Sequence, residues 1–224
     1  MTLIIIRPEP GATKTAAAAR ERGLEAEAWP LSEARRTDWH MPDPEDFDAL
    51  LVGSANVFRL GGAWMDAFGA LPVHAVGQTT AEAARAAGFR VDVVGEGGLQ
   101  SVLDAHKGQA IRYLRLGGAE RVAIAPADGI VIEARTVYEI THLAMPEALV
   151  DLLRAGAALV LLHSAGAARH FAAECDRLGI DRAEVRLACL GPRIAEAAGP
   201  GWGMVASAPQ PNDSALLALA AELG

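Results

Sequence analysis

Lysine is nearly missing from this chain. Lys14 and Lys107 stand against eighteen arginines in 224 residues, a bias that reads as gene base composition and not as a dedicated anion site. The formal net charge is −8, so the basic stripe of a nucleic-acid binder is absent. A local cleft can still differ from that average and take an anionic ligand. Aromatic residues make up only 5% of the chain, which leaves Ala, Leu, Val and Ile to build the core. The two cysteines, Cys175 and Cys189, lie in a helix-like and a strand-like apolar run, and read as buried thiols and not as a disulfide or metal pair. No stretch approaches the roughly 20 apolar residues of a membrane helix. No basic segment precedes an apolar one before Leu3–Ile6, so a secretory signal is not expected and a cytoplasmic location is. Walker loop, G-x-G-x-x-G after a strand, H-E-x-x-H and nucleophile elbow are all missing. Gly95-x-Gly97-Gly98 is too short for a dinucleotide fingerprint and reads as a turn, and His163 and His170 have no third ligand in register. No metal or cofactor is expected.

What is present is a hydrophobic content of 51%, ample for one large domain or two small ones. Short apolar runs alternate with Ala-rich helical stretches. Leu3–Ile6, Ala26–Leu31, Asp48–Val52, Val73–Val76 and Val91–Val94 read as strands. Thr13–Arg22 and Thr79–Ala87 read as helices, closed by Gly23 and Gly88. Such alternation predicts parallel strand pairing and an α/β fold. The second half repeats the first. Ile111–Arg115 matches Ile4–Arg7 as a strand ending in Arg, and Ala157–Leu162 matches Ala49–Val52, each running into Ser. Val76-Gly77 matches Leu190-Gly191, and Ala81–Ala84 and Ala195–Ala198 are the same word. Two similar lobes with a cleft between them follow, with Ser32–Phe47 and Glu139–Pro146 as irregular connections.

Ligands of α/β sheets bind outside the carboxyl ends of strands. The loops expected there are Arg7-Pro8, Ser54-Ala55-Asn56, Gly77-Gln78-Thr79-Thr80, Arg115–Gly118, Ser164-Ala165-Gly166 and Gly191-Pro192-Arg193. They are small, hydroxylated or Gly-containing, and several precede helices, whose free N–H groups bind anions without lysine. Plain helix capping asks for the same residues.

The opening strand with Arg7-Pro8, the run Asp48–Val57, and Val76-Gly77-x-x-Thr80-Ala81 before Gly88 resemble the uroporphyrinogen-III synthase family. So do Val137-Tyr138, Leu162-His163-Ser164 and Leu190-Gly191-Pro192. The resemblance runs in order through nearly the whole chain. It implies two parallel-sheet α/β lobes joined by a two-stranded connector. Lobe one would be residues 1–33 plus 145–224, lobe two 38–138, and the connectors 34–37 and 139–144. It implies hydroxymethylbilane as substrate, cyclised with loss of water and inversion of ring D, without cofactor. The implied partners are that small molecule and, transiently, the upstream bilane-forming enzyme, with neither nucleic acid nor membrane; a monomer is expected.

On that resemblance Tyr138 is the candidate acid. Arg7, Pro8, Ser54, Ala55, Asn56, Gly77, Gln78, Thr80, Arg115, Ser164, Ala165, Gly166, Gly191 and Pro192 are the candidate substrate contacts. Tyr138 reads equally as a packing residue. Gly53, His163 and Ile194 stand where the family often carries Thr. A non-enzymatic two-lobed anion or tetrapyrrole binder is the alternative. A flavodoxin-like carrier is disfavoured, for want of a hydroxyl-rich phosphate clamp and of aromatics to stack on a flavin.

Overall fold

The computed structural model describes residues 1–156 and 158–224; Ala157, where one expected strand begins, lies outside the described residues. In chain order the strands are β1 (Thr2–Ile5), β2 (Ala26–Ala28), β3 (Ser32–Arg36), β4 (Ala49–Val52), β5 (Val73–Val76) and β6 (Val91–Gly95), then β7 (Ile111–Gly118), β8 (Ile130–His142), β9 (Ala158–Leu162), β10 (Arg186–Cys189) and β11 (Met204–Ser207). The helices are α1 (Gly11–Arg20), α2 (Asn56–Leu60), α3 (Gln78–Ala86), α4 (Leu99–Ala105), α5 (Glu147–Arg154), α6 (Ala165–Leu178), α7 (Pro192–Ala198) and α8 (Asp213–Leu223). The chain divides into two compact units, Met1–Glu33 with Thr141–Gly224, and Ala34–Ile140.

The first unit holds a five-stranded sheet in the order β11-β10-β9-β1-β2, with parallel pairing throughout. Its inner strands bury both faces, which is why they read as unbroken apolar runs. Leu3 and Ile5 pack with Ala12, Ala16 and Leu216 on one face, and Ile4 and Ile6 pack with Leu149 and Phe171 on the other. Alanines on α1 let that helix lie close to the sheet.

The second sheet has the order β3-β8-β7-β4-β5-β6, and the pairs from β8 through β6 are parallel. Leu50 and Val52 face one core, Ala49 and Leu51 the other. The aromatics are few but placed centrally: Tyr113, Phe68 and Phe171 are among the largest fully buried side chains, so the core is not aliphatic alone.

In each sheet the chain reverses its direction of travel. From β1 it steps to β2, whereas β9, β10 and β11 step the other way; likewise β7 steps to β8 while β4, β5 and β6 go opposite. The β1/β9 and β7/β4 boundaries are therefore the switch points at which α/β sheets open a crevice. The strand register supports the repeat and adjusts it. Leu161 pairs with Ile5 and Leu51 with Arg115, so Ile5 is the counterpart of Arg115, and the two arginines are displaced by two positions along equivalent strands.

Some boundaries differ from expectation. Arg115 does not end its strand, because β7 continues to Gly118, and Tyr138 lies inside β8, which continues to His142. Ser32–Phe47 is not simply irregular, since it contains β3, hydrogen-bonded beside β8. These segments mix charged and apolar residues without clean alternation, and a neighbouring strand, not their own propensity, makes them strands. Among the described residues no helix is long and apolar enough to cross a membrane. Cys175 and Cys189 are buried and free, and burial pushes their thiols up to about 12 and about 11.

Candidate functional site

In the first unit the expected loops gather at the carboxyl ends of three adjacent strands, β10, β9 and β1. Arg7 and Pro8 follow β1. Ser164 is the N-cap of α6, its hydroxyl accepting from the Ala167 N–H at 3.1 Å. That leaves the N–H groups of Ala165 and Gly166, in the first turn, without intrahelical acceptors. Gly191 caps α7, with Pro192 as its first residue, where a missing N–H costs nothing.

Arg7 is already engaged. Its Nη1 donates to both carboxylate oxygens of Asp213, at 3.0 and 2.9 Å, and Thr15 donates its hydroxyl to the same carboxylate at 2.7 Å. Asp213 opens α8, where the helix dipole favours an anion. Neither Asp213 nor Thr15 is among the residues expected from sequence, because nothing local sets either apart from an ordinary helix residue. His163 stands beside this group with a 6% exposed side chain, its Nε2 3.5 Å from Asp213. Among the described residues neither ring nitrogen has a hydrogen-bond partner. Burial, helped by the Arg7 charge, holds its pKa well below the ordinary 6.5, so the ring is neutral.

In the second unit the loop after β4 follows a strand paired with β7, whereas the loop after β5 starts beside β6, where the Gly77 N–H donates to the Gly95 carbonyl. Ser54 accepts from the Asn56 N–H at 3.3 Å, and the Asn56 amide oxygen is occupied by Arg59 at 3.2 Å. Gly77 caps α3 with φ 77, a left-handed conformation that only glycine adopts without strain. Thr80 belongs to the buried face of α3 together with Ala81 and Ala84, a packing position more than a loop contact.

A cavity of about 300 Å3 opens at the β7/β4 switch point, and it brings together Ser54, Arg115 and Tyr138 of the expected residues. Ala55, Asn56, Gly77, Gln78 and Thr80 do not line it. Gly97, Gly98, Leu99 and Gln100 at the start of α4 form one wall, and residues 120–124 form another. The reason for the cavity is topological. Parallel neighbours need a crossover, usually a helix. β1 reaches β2 through α1, but β7 reaches β8 through residues 119–129, which are not helical.

That crossover is held by polar contacts. Gln100 donates to the Ala125 carbonyl at 3.0 Å and accepts from the Ala125 N–H at 2.8 Å. Arg115 donates from Nη2 to the Val122 carbonyl at 2.8 Å. Arg121 donates from Nε to the Gly118 carbonyl at 2.9 Å and from Nη2 to the Thr136 hydroxyl.

Tyr138, 9% exposed, packs its ring against Gly118; a Cβ there would meet the ring at 2.9 Å, so the glycine is what lets the ring come this close to β7. Sequence reasoning missed Arg121 and Gln100, because nothing local distinguishes either from a solvated polar residue. Among the described residues no cluster of three or more His, Cys, Asp or Glu could hold a metal.

A family model described as uroporphyrinogen-III synthase HemD matches residues 13–218. No curated protein is significantly similar to the chain in sequence. Among solved structures, the uroporphyrinogen-III synthetase of Helicobacter pylori 26695 superposes with a TM-score of 0.64 at 17% identity, covering 100% of both chains. A mutant uroporphyrinogen III synthase of the extremely thermophilic bacterium Thermus thermophilus gives 0.51 at 15% identity, over 100% of this chain and 98% of the other. At such identities the structural likeness speaks for the fold, and the match across residues 13–218 speaks for descent. The chain belongs to the uroporphyrinogen-III synthase family.

Proposed function

We infer that this protein is a uroporphyrinogen-III synthase, a cyclising lyase that closes hydroxymethylbilane into uroporphyrinogen III. The observation that carries the reading is the family match over residues 13–218. It favours the synthase over the non-enzymatic binder.

In the proposed reaction the terminal hydroxyl of ring A takes a proton and departs as water, leaving an electrophilic azafulvene. Ring D attacks through its substituted carbon and forms a spiro intermediate. The older bond of ring D to its bridging carbon then breaks, that carbon recloses on the free position of the ring, and a proton is lost. No electrons are exchanged with a second reactant. The activated bilane also closes unaided to the type I isomer, so the enzyme's task is chiefly orientation.

The residues divide that task by what they can offer. Ala165 and Gly166 present backbone N–H groups at the start of a 14-residue helix, suited to a carboxylate. Ser54 and Arg115 line the cavity of the second unit with Tyr138, whose hydroxyl is the candidate proton donor to the leaving group. Arg7 contributes through its pairing with Asp213, which fixes the first turn of α8, and reaches a substrate carboxylate only by exchanging that partner. The same reading has the enzyme acting as a cytoplasmic monomer, with a transient contact to the upstream bilane-forming enzyme.

The test is to give purified protein freshly prepared bilane and resolve the oxidised products by isomer. Predominant type III is expected. Type I alone, at the rate of the protein-free control, overturns the reading.

A further inference from the structure

We propose that the cavity beneath the crossover of residues 119–129 is a carboxylate subsite built from Arg115 and Arg121. Its natural occupant, on the synthase reading, is one acid side arm of the bilane.

Three observations on this unit converge. Both arginines line the cavity, and Arg115 is only 8% exposed. Among the described residues each is hydrogen-bonded to neutral groups alone: Arg115 to the Val122 carbonyl, Arg121 to the Gly118 carbonyl and the Thr136 hydroxyl. Among those residues neither has an ion-pair partner, in contrast to Arg7, whose charge Asp213 meets at 2.9 Å. A guanidinium carries five N–H donors, so each retains unused donors beside the cavity.

Buried charge without a counter-ion is costly, and the half-buried Arg121 cation on the same cavity adds to that cost for Arg115. Burial and the Arg121 charge both push the Arg115 pKa down from its ordinary value. An anion between the two guanidiniums would relieve both effects, and a carboxylate matches their planar forks. Glu120 also lines the cavity but is exposed and pairs with neither. The volume of about 300 Å3 lies at the small end of ligand cavities, roughly 300–1,000 Å3, and suits one pyrrole with its arms, not a tetrapyrrole. Tyr138 on the same cavity wall would then meet a substrate anchored by this arm.

The probe is a monopyrrole carrying one acetate and one propionate arm, with its dimethyl ester as the uncharged comparator. Binding is followed by calorimetry and by the Nε–H signals of Arg115 and Arg121 in NMR. The diacid is expected to bind and shift both signals, and the diester to bind at least about tenfold more weakly. Arg121→Gln is expected to weaken diacid binding about tenfold, and Arg121→Lys to restore part of it. In turnover, Arg121→Gln should raise KM more than it lowers kcat, the mark of lost uniform binding. Arg115→Gln also loses the bond to Val122, so Arg121→Gln carries the test if that variant does not fold. Equal binding of diacid and diester, or diacid affinity unchanged in Arg121→Gln, overturns the subsite. Arg121-dependent diacid binding by a protein that makes only type I product keeps the subsite and overturns the synthase reading instead.

Discussion

His74 should make the second unit sensitive to mild acid. It stands on β5, 7% exposed, its Nδ1 sharing a 2.8 Å hydrogen bond with the hydroxyl of buried Tyr113. The ring of His106 stacks on it at 4.8 Å between centroids. Burial, then the neighbouring His106 charge, lowers its pKa from 6.5 to about 4, against a smaller upward pull from Asp92. Burial and the Asp48 charge push Tyr113 up to about 12, so the phenol stays protonated throughout.

A base whose pKa is depressed by folding is neutral in the native state while the unfolded chain takes up a proton. Its contribution is therefore complete above about pH 6.5 and is lost as pH falls through the window from 6.5 to about 4. At about 1.4 kcal/mol per decade of proton affinity, the loss reaches about 2.5 kcal/mol by pH 4.5. That corresponds to roughly 1 M in a urea midpoint.

The perturbation is His74→Asn, which keeps a polar atom near Tyr113 but cannot take up the proton. Urea unfolding is followed by Trp39 and Trp64 in a background with Trp29 and Trp202 replaced by Phe, so that fluorescence reports the second unit. The parent should lose about 2.5 kcal/mol more than His74→Asn between pH 7 and pH 4.5, whatever the offset between them at pH 7. Parallel stability curves across that window would refute the reasoning, because every other titrating group is common to both proteins.

Two further expectations concern the site. Tyr138→Phe should lower kcat toward the low end of the roughly 10²–10⁴-fold range of general acid catalysis, with little change in urea midpoint. Gly118→Ala, whose Cβ would meet the Tyr138 ring at 2.9 Å, should lower kcat as well by displacing that ring. Steady-state kinetics on both variants decides, and unchanged turnover in Tyr138→Phe returns the residue to packing. Ser164→Ala should cost about 1 kcal/mol of stability by removing a cap but weaken bilane affinity only slightly, since the backbone donors remain. Ala165→Pro removes a donor where the first helical turn tolerates proline and should weaken affinity more. Binding measurements that rank the two the other way would show that the hydroxyl, not the backbone, holds the anion.

The sequence alone determined the class of fold, because inner strands of parallel sheets must bury both faces and so appear as unbroken apolar runs between Ala-rich helices. It also determined the doubled architecture, since equivalent strands run into equivalent turns at Ser54 and Ser164 and at Gly77 and Gly191, and it carried the family resemblance. Those signals are local, each written within about ten residues. The tertiary structure alone decided which polar residues meet. Arg7 and Arg115 look alike in sequence, yet one finds Asp213 across more than 200 positions of chain and the other ends beside Arg121, paired with no carboxylate among the described residues. The register that displaces them by two residues, the crossover that is not a helix, and the ring of Tyr138 against Gly118 are likewise products of strand pairing between distant segments. Side-chain partnership across a sheet depends on register and topology, and composition, periodicity and spacing encode neither.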